Sequence, residues 1–167
     1  MTERVPTNAD KSRRITYLTE PYEHIVQGSG VVIVAENNQG RIALIRHSIP
    51  LHGDILTAPG GGIEKDEDPL GAAKRELEEE AGIVAAVWTP LGTTVPMPRS
   101  TLELHMYAAT DLSTGVQALT ATEAEQGLTV VWTPCEEAVQ AALDGRIKLA
   151  GAALALLIWS ARTEVTA

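Results

Sequence analysis

Phenylalanine is absent from this 167-residue chain, and tyrosine and tryptophan contribute only three residues each. The core must therefore be built from Leu, Ile, Val and Ala, in keeping with a hydrophobic content of 44%. The single cysteine, Cys135, excludes an internal disulfide framework and fits a reducing compartment. We interpret Cys135 as a small hydrophobic residue in a helix rather than a nucleophile. This composition is typical of one globular domain with a sizeable core.

Long apolar segments and a basic surface are also lacking. The N-terminal sequence has no apolar segment of a secretory signal, and the longest apolar run, residues 149–159, is too short to cross a bilayer. We expect a cytoplasmic protein without a membrane partner, in which residues 1–13 form a flexible tail and residues 14–167 one domain. The net charge of −9 argues against nucleic acid as a partner, because nucleic-acid binding needs a basic surface.

Strand and helix signals alternate without a regular rhythm. Strands are expected at residues 14–19, 22–27, 30–36, 41–47, 84–95, 101–112 and 127–132. The sequence NNQG at residues 37–40 predicts a hairpin turn between the third and fourth strands. Residues 133–136 (TPCE) predict a capping box that starts a helix ended by Gly145, and a last helix is expected at about residues 148–162. This order favours a mixed sheet packed between helices.

A further helix is predicted where the charge pattern is unusual. Asp68 is a good N-cap, Pro69 suits the first helical position, and Gly82 ends the helix. At about 100° per residue, one narrow arc forms the buried stripe. That stripe consists of Leu70, Ala73, Leu77 and Ala81. Glycines precede the helix in the sequence PGGG, so a tight turn leads into it.

Four glutamates crowd the C-terminal end of this helix, where the helix dipole is least favourable to negative charge. Glu76, Glu79 and Glu80 fall beside the buried stripe, whereas Glu78 lies over Lys74 and is expected to be solvated. A bound divalent cation would offset the three converging carboxylates, and an oxygen-only ligand set favours Mg²⁺ or Mn²⁺ over zinc. The alternative is a solvated acidic face, or an acidic interaction module, which leaves the glycine loop unexplained.

The same stretch resembles the signature of the Nudix hydrolases, G-x5-E-x7-R-E-U-x-E-E-x-G-U, where U is a bulky aliphatic residue. Every specified position is met, by Gly61, Glu67, Arg75, Glu76, Leu77, Glu79, Glu80, Gly82 and Ile83. The resemblance implies an α/β protein with a Nudix-type α/β/α sandwich and a mixed sheet. It also implies that the protein cleaves a diphosphate linked to another group.

The resemblance assigns roles within the signature. Mg²⁺, or Mn²⁺, would be held by Glu76, Glu79, Glu80 and the backbone carbonyl of Gly60, with Glu79 also counted as catalytic. Gly61, Glu67, Arg75 and Gly82 would be structural. For the catalytic base, the resemblance indicates the loop before the last strand. There the candidates are Glu123 and Glu125, with Glu125 slightly favoured.

Outside the signature, the chain resembles the ADP-ribose pyrophosphatase branch. Pro98 lies fifteen residues after Ile83, and Glu103 follows five residues later, as in that branch. Two segments depart from it: RHSIP (46–50) stands in place of an arginine-rich sequence, and TAPGG (57–61) in place of ELPAG. The expected substrate-binding residues are Arg46, Pro98, Arg99 and Glu103. The branch also implies a homodimer.

The expected substrate is a small nucleotide, namely a nucleoside diphosphate derivative such as ADP-ribose or another sugar nucleotide. Two alternatives stay open: a nucleoside triphosphate pyrophosphohydrolase, and a catalytically silent nucleotide-sensing domain. Tyr17 or Tyr22 is a candidate for stacking on a base, with packing favoured. The histidines show no ligand spacing and are expected to be structural or exposed. These are His24, His47, His52 and His105.

Overall fold

The computed structural model of the chain describes residues 15–18 and 24–166. Its strands are β1 (Ile15–Leu18), β2 (His24–Gln27), β3 (Gly30–Ala35), β4 (Arg41–Ile49), β5 (Gly53–Thr57), β6 (Ile83–Thr94), β7 (Leu104–Thr114) and β8 (Thr129–Pro134). Its helices are α1 (Pro69–Ala81), α2 (Ala121–Glu125), α3 (Cys135–Leu143) and α4 (Ala150–Thr166). The predicted tail, Tyr22 and the side chain of Tyr17 lie outside what is described. Among the described residues, no helix is long and apolar enough to cross a membrane.

Two three-stranded sheets form the centre of the fold, beside a β1–β2 hairpin. One sheet has the order β3-β7-β6, in which β3 runs parallel to β7 and β7 antiparallel to β6. The other has the order β5-β4-β8 and is antiparallel throughout. The predicted mixed α/β architecture is therefore confirmed.

Strand β3 shows why the sheet lies between helices. Val31 and Ile33 pack with Leu77 of α1, whereas Val34 packs with Leu156 of α4. Successive side chains of a strand point to opposite faces, so an uninterrupted apolar strand requires cover on both sides. Helix α1 supplies one cover, and helices α3 and α4 supply the other.

The predicted turn at residues 37–40 is present, but the hairpin is not. The side chain of Asn37 accepts the N–H groups of Gln39 and Arg41, at 2.9 and 3.0 Å, and Gly40 has a φ of +67°. Only an isolated bridge between Glu36 and Ile42 joins the two strands, because β3 pairs with β7 and β4 with β5 and β8. The hairpin prediction is wrong because pairing partners are chosen by long-range burial, not by the turn.

The capping box predicted at residues 133–136 is also wrong. Strand β8 continues to Pro134, which is the N-cap of α3 and makes no side-chain cap bond. Pairing with β4 keeps Thr133 in the strand, so its hydroxyl cannot cap the helix. A capping box instead begins α2, where Thr120 and Glu123 bond reciprocally. The predicted end of α3 is confirmed, with Gly145 following the helix at a φ of +77°.

Helix α1 has the predicted bounds but a shifted buried face. The carboxylate of Asp68 accepts the N–H groups of Leu70 and Gly71, both at 3.0 Å, and Gly82 ends the helix at a φ of +64°. The buried residues are Ala72, Ala73, Glu76, Leu77 and Glu80. Leu70 and Ala81 are only half-buried. The observed buried face therefore lies closer to the glutamates than the predicted one, because the glycine loop and the sheet cover the carboxylate side of the helix.

Candidate active site

The glycine loop, which is the sequence PGGG at residues 59–62, lies between strand β3 and the carboxylates of α1. The N–H of Val31 donates to the carbonyl of Gly61 at 2.9 Å, so the loop follows the strand. A Cβ on Gly60 would stand 2.2 Å from the carbonyl oxygen of Val31. A Cβ on Gly61 would stand 2.3 Å from Oε1 of Glu76. Glycine at position 60 therefore lets the loop pack against the backbone of β3, and glycine at position 61 lets it pack against a helix carboxylate.

Glu80 is the most strongly perturbed acid of this group. It is 8% exposed, and its Oε2 accepts the N–H of Gly60 at 2.9 Å. Burial raises the pKa of Glu80 to about 8, and the negative charges of Glu76, Glu123 and Glu79 add to the rise. The Gly60 N–H lowers the pKa but does not offset the burial. A carboxylate in this position attracts either a proton or a cation.

Arg75 holds the loop and the helix together. Its Nε and Nη2 donate to the two carboxylate oxygens of Glu67, each at 3.0 Å, and Nη2 also donates to the carbonyl of Gly62 at 2.9 Å. Its Nη1 donates to Glu76 at 2.8 Å and to Glu79 at 3.0 Å. These bonds raise the pKa of Arg75 and lower that of Glu67. The guanidinium thus positions two of the three converging carboxylates.

The donor set of this site fits an oxygen-preferring divalent cation. Glu76 is also 8% exposed, and burial raises its pKa despite the charge of Arg75. Two buried carboxylates with raised pKa values occupy an environment that a divalent cation would stabilise. In the part of the chain that is described, no three acidic, histidine or cysteine side chains are grouped as ligands of one ion. Glu76 and Glu79 bond Arg75, and Glu80 bonds Gly60, through one oxygen of each carboxylate, so these bonds leave the second oxygen of each to face a cation.

The segment at residues 115–118 closes the C-terminal end of α1. The carbonyl of Glu79 accepts the N–H of Ala118 at 2.9 Å, and the carbonyl of Glu80 accepts the side-chain amide of Gln117 at 2.6 Å. The last carbonyls of a helix have no partner within it, so these bonds satisfy groups that otherwise need water. The segment leading to α2 is thereby fixed against the acidic site.

The side chain of Glu78 also contacts the segment at residues 115–118. Its Oε1 accepts the N–H of Val116 at 3.3 Å, and its side chain is half-buried. The prediction that Glu78 is a solvated charge over Lys74 is therefore wrong. Helical phase alone places Glu78 away from the core, but a segment nearly forty positions downstream folds over it.

The two candidate bases differ in placement. Glu123 is half-buried, and its Oε2 accepts the N–H and the hydroxyl of Thr120 at 2.7 and 2.8 Å. Its charge contributes to the raised pKa values of Glu76 and Glu80. Glu125 is exposed and is not among the charges that raise those pKa values. The fold therefore brings Glu123, rather than Glu125, toward the carboxylates.

A cavity of about 340 Å³ adjoins the site. Residues along its wall include Gly60, Gly61, Glu80, His47, Pro96 and Leu102. Arg46, Pro98, Arg99 and Glu103, the predicted substrate-binding residues, are exposed, and none of them lines this cavity. Their roles remain predictions.

Sequence reasoning missed His47, Pro96 and Leu102. The available signal was strand alternation, because Arg46 and His47 are neighbours in β4 and must face opposite sides. An exposed Arg46 thus places His47 inward. Pro96 and Leu102 belong to the connection between β6 and β7, which also carries Pro98. Its fold depends on pairing with β2, where Ile25 donates to the carbonyl of Arg99 at 2.8 Å.

Comparisons with known proteins agree with the signature. The family model described as "NUDIX domain" matches residues 26–152. The chain is 32% identical to the ADP-ribose pyrophosphatase of Bacillus subtilis over 93 residues, which cover 54% of this chain and 50% of that protein. It is 33% identical to the methanol dehydrogenase activator of Bacillus methanolicus over 97 residues, which cover 57% and 52%. The chain thus spans about half the length of these curated relatives.

A solved structure described as "Crystal structure of ADP compounds hydrolase" superposes with a TM-score of 0.74. The match covers 91% of this chain and 85% of that one, at 23% sequence identity. At this identity the similarity establishes the fold.

Proposed function

Because the chain belongs to the NUDIX domain family, we propose that it hydrolyses the diphosphate of a nucleoside diphosphate derivative, with ADP-ribose or another sugar nucleotide preferred. The observation that carries the proposal is the acidic cluster of α1. Glu76 and Glu80 are buried against the glycine loop, Arg75 orients Glu76 and Glu79, and the cavity opens beside them. The similarity to the Bacillus subtilis ADP-ribose pyrophosphatase supports the substrate preference.

In this proposal, Glu76, Glu79, Glu80 and the carbonyl of Gly60 hold Mg²⁺ or Mn²⁺. When bound, such a cation neutralises charge developing on the diphosphate and lowers the pKa of the attacking water. The protein's own residues would position the carboxylates and the diphosphate. Arg75 fixes two of the carboxylates, and glycines in the loop let the backbone approach the diphosphate.

We assign the general base to Glu123 in preference to Glu125. A base must lie close to the proton that it removes, and the charge of Glu123 reaches the acidic cluster. Thr120 holds one oxygen of the Glu123 carboxylate, which orients the group. The carboxylate accepts a proton from the water that attacks phosphorus, and the bond between that phosphorus and the bridging oxygen breaks.

The proposal is tested by product analysis with Mg²⁺ across ADP-ribose, other sugar nucleotides, dinucleotides and nucleoside triphosphates. We expect AMP and ribose 5-phosphate from ADP-ribose. Release of pyrophosphate from a triphosphate, with sugar nucleotides untouched, would replace the proposal by a triphosphate pyrophosphohydrolase. Metal binding without turnover of any compound would favour a nucleotide sensor.

A further inference from the structure

The cavity beside Glu80 has mainly apolar walls. Most of the side chains along it carry no hydrogen-bonding group, and these include Val32, Pro96, Leu102, Leu104, Leu149 and Ala152. His47 adds the surface of its ring but no free polar atom, because Nδ1 lies 3.2 Å from Oε1 of Gln126 and Nε2 is fully buried. At about 340 Å³ the cavity is small for a ligand pocket, so it suits one portion of a nucleotide rather than the whole molecule.

Thr57 places a free hydroxyl in this wall. The residue ends strand β5 and is only 7% exposed. Its Oγ1 makes no hydrogen bond within the part of the chain that is described, and it is not among the unpaired side-chain atoms that lack accessible surface. Because Thr57 is otherwise buried and lines the cavity, its hydroxyl stays within reach of a molecule there. A ligand atom that bonds this hydroxyl would satisfy a polar group that has no partner in the protein.

The first turn of helix α4 adds hydrogen-bond donors to the same cavity. Its residues Ala150, Gly151 and Ala152 line the wall. The carbonyl of Leu149 accepts the N–H of Ala153 at 3.1 Å and begins the helical ladder, so the three preceding N–H groups lie outside that ladder. Glycine at position 151 keeps this turn close to the sheet, because a Cβ there would stand 2.7 Å from Cδ1 of Leu104. The cavity therefore suits a ligand that carries hydrogen-bond acceptors.

We propose that this cavity receives the nucleobase of the substrate, with the Thr57 hydroxyl bonded to the edge of the base and acceptor atoms of the base facing the first turn of α4. The inference rests on the proposed function, because it assigns one portion of that substrate to the cavity. Thr57 is then a binding residue for the base and takes no part in the reaction at phosphorus.

A base fits these walls better than the other portions of a sugar nucleotide do. Its faces are flat and largely apolar, and its edge carries carbonyl oxygens or ring nitrogens that accept from hydroxyl and N–H donors. A diphosphate carries charge, and a sugar carries several hydroxyl groups, which Val, Leu and Pro side chains would leave without partners. The cavity also reaches Gly60, Gly61 and Glu80, so a base within it lies beside the acidic cluster.

Equilibrium binding measures the contribution of the base without turnover. The ligands are AMP, GMP, CMP and UMP, and ribose 5-phosphate is the matched compound that lacks a base. Calorimetry is carried out with Mg²⁺ present. At least one of the four nucleotides should bind the wild-type protein at least about tenfold more tightly than ribose 5-phosphate does, because the base buries apolar surface in the cavity.

Two variants of Thr57 test the hydroxyl. Thr57→Val keeps the shape of the side chain and removes the hydroxyl, so the preferred nucleotide should bind about fivefold more weakly, the effect of one neutral hydrogen bond. Binding of ribose 5-phosphate should stay unchanged. Thr57→Ser keeps the hydroxyl and should bind the nucleotide as the wild type does. The control is Thr110→Val, at a half-buried threonine of β7 that does not line the cavity, and it should also match the wild type.

The proposal is overturned if no nucleotide binds more tightly than ribose 5-phosphate, or if Thr57→Val weakens both compounds equally or neither of them. Circular dichroism of each variant checks that the fold is retained. Nucleotide binding that depends on Thr57, without hydrolysis of any sugar nucleotide, would uphold the base site and refute the hydrolase. Hydrolysis of a sugar nucleotide, together with unchanged nucleotide binding in Thr57→Val, would uphold the hydrolase and refute the base site.

Discussion

At the scale of single residues, Glu80 combines two properties that oppose each other in the absence of a cation. It is a carboxylate, and it is buried against the glycine loop with only the Gly60 N–H as a neutral donor. The sequence predicted the position of Glu80 from helical phase, but not the size of its pKa shift, which depends on the loop and the sheet packed around it.

Glu80→Gln should reduce turnover of ADP-ribose by at least about a hundredfold while leaving the fold intact. The substitution removes a negative ligand but keeps the side-chain volume and an oxygen that can accept the Gly60 N–H. Steady-state kinetics and thermal unfolding of the same preparation check this. Wild-type turnover in the variant would contradict the metal role of Glu80.

The stability of the metal-free protein should fall as pH rises from about 5 to 8. Burial raises the pKa of Glu80 in the folded state from its ordinary 4.5 to about 8, so the folded protein holds a proton that the unfolded chain has lost. Stability from this group is complete below pH 4.5 and is lost as pH rises through 8, by on the order of 3 kcal/mol at pH 7.

Urea unfolding with a chelator present, at several pH values, measures this loss. The Glu80→Gln variant is the control, and its profile should be flatter, with the remaining slope due to Glu76, whose pKa is also raised. Parallel profiles for the two proteins would show that Glu80 is not buried as described.

Gly61→Ala should destabilise the protein by about 1–3 kcal/mol and impair turnover, because the new Cβ would stand 2.3 Å from Oε1 of Glu76. Gly28→Ala is a matched control, since a Cβ there meets nothing within 4 Å. Chemical unfolding measures the stability of both variants, and steady-state kinetics measure their turnover. Equal stability of the two would mean that the loop does not press on the carboxylate.

At the scale of elements, helix α1 was the most predictable part of the chain. Asp68 and Gly82 set its ends through local bonds, which the sequence alone reveals. The segment that closes its C-terminal end was not predictable, because Glu78 and Val116 meet only after the intervening strands have paired. For the same reason, the turn before β4 was predicted correctly and its pairing was not.

Glu78→Ala should lower turnover several-fold, although Glu78 is no ligand in this account. Loss of the bond to Val116 loosens the segment that leads to Glu123, and one lost hydrogen bond costs about 1 kcal/mol of stability. Glu78→Gln keeps an acceptor oxygen and should stay near wild type. Kinetics of both variants, with Glu137→Ala on the exposed face of α3 as a control, test the contact. An Ala variant as active as the Gln variant would contradict it.

At the scale of the whole molecule, two sheets and three longer helices bring three segments together at one site. They are the glycine loop after β5, the acidic end of α1 and the capping box of α2. The signature sequence identified the first two, because they are contiguous in the chain. It could not choose between Glu123 and Glu125, and it could not identify His47, since both depend on how β4, β8 and α2 come together.

The central claim is that the carboxylates of α1 carry a divalent-cation-dependent cleavage of a nucleoside diphosphate derivative. Chromatographic analysis of ADP-ribose incubated with the wild-type protein, with Mg²⁺ and with excess chelator, tests it most directly. The account predicts AMP and ribose 5-phosphate in equal amounts with Mg²⁺, and neither with chelator or with Glu80→Gln. Undiminished cleavage by Glu80→Gln would contradict it, as would intact substrate after wild-type protein and Mg²⁺ are incubated with ADP-ribose and with each other sugar nucleotide.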